Sequence, residues 1–125
     1  MYAVDRSVAV LKPKAPFLAW LNALPDNAVE LSLSSLRSDG TVVLMPEFTE
    51  PEQGIAYLDE IYDQLFKMEL YSWCEETSLW PSDLSLKAFW EWFDVDIHSS
   101  VIDSVDEKIS NYPLTDIVPD SNGHV

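Results

Sequence analysis

Eight prolines divide this 125-residue chain into short segments, and the pattern of apolar residues changes from one segment to the next. A proline cannot donate to a sheet ladder or continue a helix beyond its first turn, so each one limits how far an element extends. The apolar runs 7–11 and 41–45 stop at prolines and predict buried strands. Segment 29–34 alternates leucine or valine with polar residues, which is typical of a strand with one exposed face.

Turn residues connect two of these predicted strands. Ser38, Asp39 and Gly40 separate segments 29–35 and 41–46, and an Asp-Gly pair suits the positive φ of a hairpin turn. We therefore expect these two segments to form a hairpin. A last strand is predicted at 95–103, where β-branched residues and alternation recur.

Three segments have the periodicity of helices. Apolar residues recur every three or four positions in 17–24, in 55–66 and in 86–93. Thr49, followed three residues later by Glu52, is the pattern of a capping box and predicts the start of the longest helix. This helix is expected to run to about Tyr71, with one apolar side and one acidic side.

The predicted order is strand, helix, strand, strand, helix, helix, strand. Without one short helix, this is the split β-α-β arrangement of a ferredoxin-like fold. We therefore predict an α+β protein of order βαββααβ, with an antiparallel four-stranded sheet, helices on one face and one extra short helix. Its strands are expected in the spatial order fourth, first, third, second. The alternative is a less regular α+β sandwich, in which the two later helices form a hairpin against a three-stranded sheet.

The length of the chain is that of one domain, which we assign to residues 1–112, followed by a C-terminal tail at 113–125. The single cysteine, Cys74, excludes an internal disulfide and a multi-thiolate metal site. Asp5 and Arg6 interrupt the region where a signal peptide needs its apolar core, and no apolar run is long enough to span a membrane. We expect a cytoplasmic protein without cofactors.

Acidic residues dominate the charge of the chain, with 22 acids, 7 bases and a net charge of -15. Residues 1–37 carry four basic and three acidic side chains, whereas residues 38–125 carry three basic and nineteen acidic side chains. An acidic surface repels nucleic acids and anionic membranes and attracts basic proteins. The sequence therefore predicts a basic protein partner, with no nucleic acid and no membrane as partners. Solubility is the competing explanation of this charge.

Carboxylates and indoles form the predicted partner-binding site. The acids in the middle of the longest helix fall opposite its apolar stripe, and aromatic residues are dense between positions 71 and 93. Aromatic side chains supply contact area and cation-π faces for arginine at interfaces. The predicted site comprises Asp59, Glu60, Asp63, Trp73, Glu75, Glu76, Trp80 and Trp92. Packing of the tryptophans within the fold is the competing interpretation.

Asp94, Asp96 and His98 are a candidate metal site. They occupy alternate positions of the last predicted strand, so their side chains leave one face at a spacing of roughly 6–7 Å. Such ligands suit a divalent metal when a second element completes the coordination. Lys12 and Lys14, just before the first helix, are a weaker candidate for binding an anion.

We expect a non-catalytic protein-binding module, such as an adaptor, an inhibitor or an immunity-type protein, that engages a basic protein surface. The alternative is a small metal-dependent enzyme or metal-binding protein that uses Asp94, Asp96 and His98. The three glycines are scattered and make no phosphate loop, and no nucleophile is matched with a base, which favours the non-catalytic function. A homodimer formed through a sheet face or the aromatic segment is a further alternative.

Overall fold

The computed structural model describes residues 1–25 and 30–114 and shows helices packed against antiparallel sheets. The elements are β1 (Tyr2–Ala3), β2 (Arg6–Pro13), α1 (Ala15–Asn22), α2 (Leu33–Arg37), β3 (Thr41–Pro46), α3 (Pro51–Trp73), α4 (Leu86–Trp92), β4 (Phe93–His98) and β5 (Ile102–Asp103). One turn of 3-10 helix, Thr77–Leu79, lies between α3 and α4. The predicted α+β class is confirmed. Most of the predicted tail, from residue 115 onward, lies outside the described residues.

The main sheet has three strands in the order β3-β2-β4, and β2 is antiparallel to both neighbours. Leu11 of β2 stands opposite Thr41 on one side and opposite Val95 on the other. This agrees with the predicted neighbours of the first strand. β1 and β5 form a separate two-stranded antiparallel sheet.

The predicted strand at 29–35 is wrong, and so are the hairpin and the four-stranded ferredoxin-like sheet that depended on it. Residues 33–37 form α2, in which the Ser32 side chain accepts a hydrogen bond from the backbone N–H of Ser35. Ser32 therefore acts as an N-cap, not as a residue on the exposed face of a strand. Leu33 and Leu36 are one helical turn apart, and Leu36 is buried. The three-stranded sheet is the one expected for the alternative sandwich.

The predicted last strand, 95–103, is divided between the two sheets. β4 begins earlier than predicted, at Phe93, and pairs with β2 as far as His98. After a break at 99–101, Ile102 pairs with Ala3 of β1. The β-branched content of the segment does not reveal this change of sheet, because each short piece has the same local pattern.

The predicted helices are present, with small shifts at their ends. α3 begins one residue later than predicted, with Glu50 as its N-cap. The Gln53 side chain, not that of Glu52, accepts hydrogen bonds from the backbone N–H groups of Thr49 and Glu50, at 2.8 and 3.0 Å. No helix in residues 1–25 and 30–114 is both long enough and apolar enough to cross a membrane.

The hydrophobic core lies between the helices and one face of the main sheet. The rings of Phe17, Phe66, Phe89 and Phe93 come from α1, α3, α4 and β4, and all four are fully buried. The ring centroids of Phe93 lie 5.2–5.7 Å from those of the other three. Phe93 is the first residue of β4, so its packing orients that strand as well as the helices.

The other face of the main sheet, which we call the open face, carries the side chains of Val8, Val10, Lys12, Val42, Leu44, Asp94, Asp96 and His98. At the start of β3, a Cβ on Gly40 would collide with the carbonyl oxygen of Leu11. Gly40 does not adopt the positive φ expected for an Asp-Gly hairpin turn. A glycine is needed there because β2 and β3 approach closely.

Candidate functional site

The predicted acidic side of α3 is partly used inside the protein. Asp59 Oδ1 accepts a 2.8 Å hydrogen bond from the indole N–H of Trp90. Asp63 forms a 3.1 Å salt bridge with Lys67, one turn further along the helix. Glu60 is exposed. Two of the three predicted carboxylates therefore have partners within the fold.

The three tryptophans of the predicted site differ in their surroundings. Trp92 packs against Phe17 and Phe66, with ring centroids 5.9 and 5.5 Å away. Trp92 is therefore part of the packing between helices, because α4 contacts both α1 and α3. Trp80 is partly buried, whereas Trp73 is 47% exposed.

Two indoles hold the connection between α3 and α4. The indole N–H of Trp80 donates to the carbonyl oxygen of Cys74 at 2.8 Å. The indole N–H of Trp20, from α1, donates to the carbonyl oxygen of Leu79 at 2.9 Å. The exposed carboxylates Glu75 and Glu76 lie in this anchored connection, directly after α3 ends.

A cavity of about 310 Å³ lies where the C-terminal end of α3 passes the connection between α2 and β3. Its walls are formed by Pro13, Leu36, Asp39, Gly40, Thr41, Glu69, Ser72 and Trp73. Two of these eight residues are acidic and none is basic. The cavity places Asp39, which is distant in sequence, beside Glu69 and the exposed Trp73 of α3.

Glu69 is the buried acid of this cavity. Its side chain is only 8% exposed, and its Oε2 accepts a 2.7 Å hydrogen bond from the Thr41 hydroxyl. Burial raises the pKa of the Glu69 carboxyl above its ordinary value, and the Thr41 hydrogen bond partly offsets this effect. The signal in the sequence is the position of Glu69, three residues after Phe66 on the apolar stripe of α3.

Asp94, Asp96 and His98 share one face of β4, as the alternation predicts, and all three are exposed. The two carboxylates form salt bridges, however: Asp94 with Arg37 at 2.8 Å and Asp96 with Lys12 at 2.6 Å. The hydrogen bond and positive charge of Lys12 lower the pKa of the Asp96 carboxyl. Among the described residues, no group of three His, Cys, Asp or Glu side chains is placed to hold a metal ion.

The lysines proposed for an anion site also have internal contacts. Lys12 pairs with Asp96, and Lys14 Nζ donates to the carbonyl oxygen of Trp90 at 3.3 Å. Lys14 thereby ties the start of α1 to α4. Both ammonium groups are therefore held by contacts within the fold.

The strongest candidate site is therefore the α3-end site, which we define as Asp39, Glu69, Trp73, Glu75 and Glu76. It combines a cavity with a buried carboxyl, an exposed indole and exposed carboxylates that follow in the chain. Comparison with protein-family models, curated proteins and solved structures finds no match for this chain. The functional assignment therefore depends on the chemistry of these side chains.

Proposed function

We propose that this protein is a non-catalytic protein-binding module that engages a basic surface of another protein through the α3-end site. The observation that carries the proposal is Glu69, an acidic residue that is only 8% exposed and lies in the wall of a cavity beside the exposed Trp73. An ionised carboxyl that is largely buried has lost part of its hydration by water. A cation that enters the cavity replaces this hydration with a charge-assisted hydrogen bond.

An arginine or lysine side chain of the partner fits this chemistry. The Trp73 indole supplies a face for a cation-π contact, and Asp39 and Glu69 supply carboxylate oxygens that accept hydrogen bonds. The cavity, about 310 Å³, is at the small end of the range for ligand pockets. It therefore suits one inserted side chain, with the surrounding acids facing the remainder of a basic surface.

The wider charge distribution supports a basic partner. Four of the seven basic side chains form salt bridges with carboxylates: Arg6, Lys12, Arg37 and Lys67. Most of the acidic residues in 1–25 and 30–114 therefore have no salt bridge to a basic side chain. The resulting negative field steers a basic protein toward this chain and accelerates association at low ionic strength.

The test is titration with a fluorescently labelled 12-residue peptide of alternating arginine and glycine, with a glutamate-glycine peptide as the probe control. Glu69→Gln should weaken binding of the arginine peptide by about 10-fold or more, the scale of a lost charge-assisted hydrogen bond. Trp73→Ala should weaken it as well, because the cation-π contact is lost.

Glu60→Gln is the matched control variant. It removes the same charge from the same helix, at an exposed position outside the cavity. Its effect should stay below about 2-fold, since exposed charges act mainly through the screened field. Equal weakening in Glu60→Gln and Glu69→Gln would show that net charge alone attracts the peptide, and the α3-end site would be rejected.

A further inference from the structure

The outer side of β3 is a free edge of the main sheet, since no strand in the described part of the chain pairs with it. Its sequence, from Thr41 to Pro46, contains no charged side chain. Edge strands are usually protected by charges, prolines or bulges, because their unpaired N–H and C=O groups otherwise attract another strand; in β3 the only such residue is Pro46, at its last position. On the open face of β3, Val42 and Leu44 are 59% and 47% exposed.

The open face also differs from the rest of the protein in its charge. Asp94 and Asp96 are paired with Arg37 and Lys12, so this face is close to neutral in a chain with a net charge of -15. Two copies of a strongly acidic protein repel each other least where the carboxylates already have cationic partners. The charge distribution therefore favours this region for contact between copies.

We propose that two copies of this chain associate through β3, which pairs antiparallel with β3 of the second copy across a two-fold axis. The two three-stranded sheets then form one continuous six-stranded sheet. Opposed residues of an antiparallel pair point to the same face, so a register centred on Val43 places Val42 opposite the partner's Leu44. Val8 and Val10, the cross-strand neighbours of Leu44 and Val42, continue this apolar strip into each copy.

The opposite edge, β4, is less suited to the same pairing. Its open face carries Asp94, Asp96 and His98. Pairing β4 with a second β4 would align exposed polar side chains, whereas pairing β3 with a second β3 aligns the apolar side chains of Val42 and Leu44. The uncharged β3 is therefore the edge that a second copy occupies.

Sedimentation of the full chain over a range of concentrations tests the proposal. The weight-average mass should rise from that of one chain, 14.2 kDa, toward twice that value. Leu44→Lys should raise the dissociation constant at least 10-fold, because two lysines then face the apolar strip. Added salt should strengthen the dimer, because it screens the repulsion between acidic copies. The same salt should weaken the binding of a basic partner, because it screens the attraction between opposite charges.

His98→Lys is the matched control. His98 and Leu44 are both cross-strand neighbours of Val8 on the open face, at opposite edges of the sheet. The His98→Lys variant should dimerise like the wild-type chain. If circular dichroism shows that the Leu44→Lys variant is unfolded, the Val42→Lys variant is used in its place. A wild-type mass of 14.2 kDa up to about 1 mM would overturn the proposal. Equal weakening in Leu44→Lys and His98→Lys would also overturn it, as would a dimer that dissociates on addition of salt.

Discussion

The indole N–H of Trp90 donates a 2.8 Å hydrogen bond to the carboxylate of Asp59 and so joins α4 to α3 across 31 residues of sequence. Both side chains are partly buried. A carboxylate that the helical pattern assigns to an exposed acidic side is therefore part of the packing between two helices. Buried donors rarely lack an acceptor, and Asp59 is the acceptor for this indole.

Replacement of Asp59 should consequently destabilise the fold. Asp59→Ala leaves the Trp90 N–H without its acceptor and should lower the free energy of unfolding by about 1–3 kcal/mol. Glu60→Ala, at the adjacent exposed position, should change it by no more than about 0.5 kcal/mol. Urea denaturation followed by circular dichroism measures both. Equal losses in the two variants would contradict the structural role of Asp59.

Trp80 and Trp73 should respond differently to truncation. Trp80→Ala removes a partly buried ring and its hydrogen bond to Cys74, and should lower the free energy of unfolding by about 3 kcal/mol. Trp73→Ala should cost less than about 1 kcal/mol, because nearly half of the side chain is already in water. Thermal and urea denaturation would show the contrast. A loss of unfolding free energy for Trp73→Ala that exceeds the loss for Trp80→Ala would mean that the Trp73 ring belongs to the core.

The stability of the protein should depend on pH through Glu69. Its pKa is raised by burial, so the folded chain holds this proton more tightly than the unfolded chain does. The stabilisation is complete below the ordinary carboxyl pKa and is lost as the pH rises through the raised pKa. Glu69→Gln cannot ionise, so its stability relative to the wild type should increase as the pH rises above the ordinary carboxyl pKa of a glutamate.

Urea denaturation at several pH values measures this difference, and a difference that is independent of pH would contradict it. Thr41→Val provides a second variant, because the Thr41 hydroxyl donates to Glu69 Oε2 and lowers the pKa of that carboxyl. Its removal should shift the pH-dependent loss of stability to higher pH.

Gly40→Ala should destabilise the protein although glycine there has no unusual φ. The added Cβ would meet the carbonyl oxygen of Leu11, a backbone atom of the central strand that cannot move without disturbing the sheet. We expect a loss of about 1–3 kcal/mol, the usual cost of overpacking. Asp39→Ala, at the preceding exposed position, is the control for denaturation experiments. A denaturation midpoint of Gly40→Ala equal to that of the wild type would contradict the close approach of β2 and β3.

Local sequence patterns are sufficient to predict those helices and strands in which periodicity and tertiary packing favour the same structure. The runs at 7–11 and 41–45 lie within β2 and β3, although the second strand is half exposed and not buried as predicted. The helical repeats lie mostly within α1, α3 and α4, with Leu24 beyond the end of α1 and Phe93 in β4. Prolines and caps mark several of their ends. Segment 29–35 is different, because Leu31 and Leu33 fit a strand whereas Leu33 and Leu36 fit one turn of helix. Burial of Leu36 in the core decides in favour of α2.

The sequence by itself determined the α+β class and the acidity of the chain, and it singled out Glu60, Trp73, Glu75 and Glu76, which the structure leaves exposed. Only the tertiary structure decided that Asp59 and Trp92 serve the fold and that Glu69 lines a cavity. The physical reason is that periodicity describes which side of an element a residue occupies. The partner of a buried polar group is determined by which elements pack together, and those elements are distant in sequence.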